Sequence, residues 1–136
     1  MHLTDSVVAN ASAGVLVRGE LVGGGITVND AYRGVSVVGG SANITALEAN
    51  RIDYEAVYVE TGALNLTNGD ANEVAVGLAN HAEAHAEDFE VSEAGVGVQA
   101  LDGSLNLTNL SVTNASVGVA TAVSYTHLTL PTTSKV

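Results

Sequence analysis

A small residue followed by alternating apolar positions recurs along this chain at a nearly fixed interval. The copies read Gly14-Val15-Leu16-Val17, Gly34-Val35-Ser36-Val37 and Ala56-Val57-Tyr58-Val59. They continue as Ala75-Val76-Gly77-Leu78, Gly95-Val96-Gly97-Val98 and Ser116-Val117-Gly118-Val119. Steps between these anchors are 20, 22, 19, 20 and 21 residues. A period of this length marks a solenoid, in which each repeat buries its apolar face only by stacking on its neighbours.

Each repeat contains short strands. The clearest copy, Gly103 to Val119, shows three runs of period two: Leu105/Leu107, Leu110/Val112 and Val117/Val119. Period two is that of strands with one face inward. Polar or small residues at Thr108-Asn109 and Thr113 to Ser116 separate the runs and read as turns. The third copy carries about two extra residues within Arg51 to Glu55, and the second, Gly19 to Val37, is looser around Gly23-Gly24-Gly25. Asn80 to Phe89 is the segment richest in helix formers, yet its register follows the strand template. The template turns the valines after each anchor inward, Val96 among them. Outward positions are then Leu16, Ser36, Tyr58, Gly77, Gly97 and Gly118, followed by Arg18, Val38, Glu60, Ala79, Gln99 and Ala120.

Three strands and three turns per repeat predict an all-β fold. At this point the chain resembles the right-handed parallel β-helix of the pectin-lyase-like superfamily, with about six coils of about 20 residues over residues 3 to 121. The resemblance implies an Asn-type residue at the tight turn between the second and third strands of each coil. Asn68 and Asn109 match that slot, Asp5 and Asp88 are similar, and Gly25 and Ala46 depart from it. Asn suits the slot because it tolerates left-handed backbone and can hydrogen-bond up the stack.

Residues 123–136 break the repeat. Val123 to Thr132 match the translation of a common transposase-type sequencing adapter, and a segment of that origin is set aside from fold reasoning. The expected organisation is therefore a β-helix fragment over 1–122 and a non-native tail over 123–136.

Without that tail the charge is extreme. Residues 1 to 122 hold three Arg, no Lys and all fifteen acids, so 3 − 15 = −12. Acid-rich, Lys-free composition resembles that of halophilic proteins, whose charges are screened within roughly 3 Å in molar salt. It disfavours nucleic acid and anionic membranes as partners. There is no cysteine, hence no disulfide framework.

Candidate chemistry is sparse. His81, Glu83, His85 and Glu87 alternate, which on a strand places them on one face, where metal ligands must lie. Glu83, Glu87, Asp88, Glu90 and Glu93 could offer oxygen ligands to Ca²⁺, without EF-hand spacing. An ordinary solvated face accounts for both patterns. Sequons at Asn10, Asn43, Asn65, Asn106 and Asn114 are candidate glycosylation sites on an exported protein, while Asn109, also in a sequon, serves the turn. In the resembled family, active sites often lie outside the first sheet. There this chain presents Tyr58 and Glu60, which could contact sugar by stacking and hydrogen bonding, and no acid pair of the kind glycoside hydrolysis needs.

The expected function is a structural or adhesive, carbohydrate-contacting module of an extracellular or cell-surface protein, its partners polysaccharide or other surface proteins. The alternative is a fragment of a polysaccharide lyase or glycoside hydrolase whose catalytic coils are missing. A chain of residues 1–122 is expected to show β-sheet circular dichroism that strengthens in molar KCl; full folding at low salt would sink the halophilic reading.

Overall fold

The computed structural model describes residues 2–121 and 127–128; the rest of the tail segment 123–136 lies outside them. The chain forms a parallel β-solenoid of about five turns, about 21 residues apart. Six long strands each make one rung: β1 (His2–Val17), β2 (Glu20–Val37), β3 (Ser41–Val59), β4 (Ala63–Asn80), β5 (Glu83–Ala100) and β6 (Ser104–Thr121). A two-residue β7 (His127–Leu128) pairs with Asn106 and Leu107 of β6. Every neighbour pairing is parallel and follows chain order.

Each rung bends without leaving its ladder because single residues adopt left-handed backbone. The first corner is Asp5, Gly25, Ala46, Asn68, Asp88 and Asn109, with φ between 47° and 68°. All six positions of the anticipated Asn slot therefore turn, including Gly25 and Ala46. Five residues later a second left-handed column follows: Asn10, Asp30, Arg51, Glu73, Glu93 and Asn114. Left-handed backbone is costly for Arg and Glu, and stacking supplies partners there: Arg51 Nε donates to Asp30 Oδ1 at 2.7 Å and Nη2 to Asp30 Oδ2 at 3.2 Å. Polar side chains ladder elsewhere too, through Asn50 Nδ2 to Asn29 Oδ1 (2.8 Å), Ser92 Oγ to Asn72 Oδ1 (2.9 Å) and Asn109 Nδ2 to Asp88 Oδ1 (3.0 Å).

The core is a column of aliphatic side chains from all sides of the rung. Leu64, Leu66 and Leu105, Leu107 line the first side; Ile26, Val28 and Leu110, Val112 line the short side between corners. Phe89 is fully buried in the fifth rung beside Gly69, where a Cβ would lie 2.6 Å from its ring. Val35, Val37, Val57, Val59, Leu78 and Val98 close the long side.

The long side corrects the register expected from sequence. Val57 pairs with Leu78, Tyr58 with Ala79 and Val59 with Asn80. The anchors of the last three rungs are thus Gly77, Gly97 and Gly118, two residues later than Ala75, Gly95 and Ser116. A Cβ at Gly97 would stand 2.5 Å from the Gly118 carbonyl oxygen and 2.7 Å from Val112 Cγ2, so this position must be small. Val76, Val96 and Val117 lie half-buried in the column of Glu55, rather than in the core. The outward row is Leu16, Ser36, Tyr58, Ala79, Gln99 and Ala120. Gly77, Gly97 and Gly118, expected outward, are buried. Register shifts between Ala31 and Val35, and between Ile52 and Glu55, leave one extra residue in the third rung where about two were expected.

Asn80 occupies a core position with no exposure. Its Oδ1 accepts from the Ala82 backbone N–H at 3.1 Å, and its Nδ2 donates to the Ser104 carbonyl at 2.9 Å. A buried amide is tolerated only when partnered this way, and here it fixes the third corner between β4 and β5.

The register is testable with two aspartates. Val98→Asp places an unpaired charge in the core and should cost several kcal/mol. Val96→Asp on the half-buried face should cost less than about 1 kcal/mol. Urea denaturation of both variants checks this, and similar losses of several kcal/mol in both would restore the earlier register.

Candidate functional site

Tyr58 and Glu60 sit where β3 meets the third corner, Tyr58 in the outward row of the long side and Glu60 exposed just beyond it. The extra residue of β3 sets Glu55 beside Arg33 of β2. Arg33 Nε donates to Glu55 Oε1 at 2.8 Å. The same guanidinium lies 4.3 Å from the centre of the Tyr58 ring, within cation–π range. His81, from the corner after β4, meets Tyr58 edge to face at 5.7 Å and 79°. Ser36 precedes Tyr58 in the outward row; it is buried and its Oγ has no hydrogen-bond partner.

Partial burial raises the Tyr58 pKa, and the negative charge of Glu60 adds to it, while Arg33 opposes. The phenol therefore stays protonated at neutral pH beside the Glu60 carboxylate. Beside this group, Tyr32 and Tyr54 stack at 5.5 Å and 25° on the outside of β2 and β3, with exposures of 53% and 55%. All tyrosines among the described residues are thus gathered on two adjacent rungs, next in sequence to the Arg33–Glu55 pair.

Sequence reasoning found Tyr58 and Glu60 but missed Tyr32, Tyr54, Arg33 and Glu55. The adjacent pairs Tyr32-Arg33 and Tyr54-Glu55 are 22 residues apart, one period of the repeat at that point. Aligning on that pair would have brought them together.

The other candidates separate. Glu83, His85 and Glu87 point outward from the first side of β5 at strand spacing, so they run parallel rather than converge, and His81 lies in the preceding corner against Tyr58. The five acids proposed for Ca²⁺ wrap around the rung: Glu83 and Glu87 on the first side, Asp88 at the first corner, Glu90 on the short side, Glu93 at the second corner. Among the described residues no three His, Cys, Asp or Glu converge on one point. Asn43, Asn65 and Asn106 share one outward column with Val22 and His85. Asn10 and Asn114 lie exposed at the second corner.

Stacking also creates a like-charge column that the linear sequence hides. Glu48, Asp70 and Glu90 are successive partners on the short side. Desolvation, then Glu90 and Glu48, raise the Asp70 pKa. Arg51 lowers that of Asp30, by hydrogen bonding foremost.

Compared with known proteins, the chain matches no family model, no curated protein and no solved structure.

Because the folded-state pKa of Asp70 is raised, its favourable contribution is complete below the unfolded value and is lost as pH rises through the folded value. Asp70→Asn is therefore expected to stabilise the fold at pH 7, by about 0.5 kcal/mol given solvent screening. The gain should vanish once Asp70 is protonated. Thermal unfolding across the carboxylate range checks this, and a destabilised variant at pH 7 would contradict it.

Proposed function

We propose that this chain is a carbohydrate-contacting, non-catalytic module of an exported cell-surface protein, built on a right-handed β-helix of the pectin-lyase-like kind. The observation that carries the reading is the gathering of Tyr32, Tyr54 and Tyr58 around the Arg33–Glu55 pair. Aromatic faces stack on the C–H faces of sugars, and fixed polar groups beside them select hydroxyls.

The arrangement favours holding over cutting. Glu55 is held in an ion pair by Arg33 and Glu60 stands exposed beyond the corner, so the cluster offers no facing pair of free carboxylates. Acidic composition, with no Lys in residues 1–122, supports a salt-rich extracellular setting and disfavours polyanionic partners. The solenoid itself supports a structural role, since it is a stiff scaffold that fixes surface groups at rung spacing.

Affinity electrophoresis and calorimetry against neutral polysaccharides test this. Tyr54→Ala and Tyr58→Ala are each expected to weaken binding about tenfold, with unchanged circular dichroism. Wild-type affinity in both variants, or no binding by the wild type to any neutral glycan, would overturn the reading.

A further inference from the structure

We propose that the ligand is a neutral, extended polysaccharide chain. It would lie along an oblique track from Tyr58 across the third corner into a groove on the first side. This inference rests on the carbohydrate reading above. The groove encloses about 510 Å³ and is lined by Asn43, Asn65, Glu83, His85, Ser104 and Asn106 among others. It therefore crosses four rungs, β3 to β6, with amide, hydroxyl, imidazole and carboxylate groups repeating at the rung spacing of about 4.8 Å.

Two observations join the groove to the tyrosine cluster. His81, which packs on Tyr58, stands two residues before Glu83 of the groove wall. Asn80 clamps that corner and bonds to Ser104 of the groove itself. The tyrosine cluster and the groove thus meet at one bend, which Asn80 ties down.

The groove runs from the rung of Asn43 to that of Asn106, and Tyr58 belongs to the first of these rungs. That is three spacings, about 14 Å along the axis. No mono- or disaccharide bridges that length. Glu83 in the groove and the surplus of acids argue for a neutral chain over a polyuronate.

The test compares disaccharides and hexasaccharides of the β-linked glucan, xylan and chitin series by calorimetry, with polygalacturonate as the acidic probe. The proteins are the full chain, Asn65→Ala, His85→Ala and Tyr58→Ala, each checked by circular dichroism. The wild type should bind a hexasaccharide at least about tenfold more tightly than its disaccharide. Asn65→Ala and His85→Ala should lose that length increment and keep disaccharide affinity, whereas Tyr58→Ala should weaken both. If the groove variants hold the hexasaccharide as the wild type does while Tyr58→Ala does not, the track is wrong and the carbohydrate reading survives. Tighter binding of polygalacturonate overturns the neutral assignment, and binding of no glycan by the wild type overturns both.

Discussion

Everything in this molecule hangs on the parallel hydrogen-bond ladder between successive rungs. It forces each residue to sit about 4.8 Å above its counterpart one coil later. A side chain is therefore judged twice, once by the face it occupies and again by what stands above and below it. The aliphatic column satisfies both tests at once, as do the Asn29–Asn50 and Asn72–Ser92 ladders. Glu48, Asp70 and Glu90 satisfy the first and strain the second; desolvation foremost, and then the two flanking charges, make the middle carboxyl hold its proton more tightly.

The parallel solenoid was legible because period-two runs recurring every twenty-odd residues have few other physical meanings. The first corner was legible as well, since Asn and Asp are enriched where backbone turns left-handed. The second corner was not. Arg51, Glu73 and Glu93 carry no turn chemistry, and their conformation is imposed by the ladder rather than chosen by the side chain. The long side misled for a different reason. Both Ala75 and Gly77 are small and precede an apolar residue, so local pattern cannot choose between them. Distance from the first corner can. The anchor follows by nine residues in Asp5 to Gly14, Gly25 to Gly34, Asn68 to Gly77, Asp88 to Gly97 and Asn109 to Gly118, and by ten in Ala46 to Ala56.

The candidate site was half legible. Tyr58 and Glu60 stand out as an aromatic and an acid on the expected face. Their partners come from stacking: Arg33 from the rung before and His81 from the corner after, neither close in sequence. Acids that looked like a cluster in the linear chain were scattered by the bends, because five residues of strand span two corners of the rung. In a solenoid, proximity in sequence is a poor guide to proximity in space, and distance by one period is a good one.

The fixed five-residue interval between the two left-handed columns has a consequence for how such a chain can change. All six rungs keep it, whereas the interval from Val17, Val37, Val59, Asn80 or Ala100 to the next buried residue of the first side is four or five residues, and the third rung gains its extra residue on the long side. One edge of the prism thus acts as a spine that meters the coils. The opposite seam absorbs differences in length. The tyrosines, Arg33, Glu55 and His81 lie along the long side and that seam. New loops could be spliced there and recognition remodelled, while the spine went on counting rungs undisturbed.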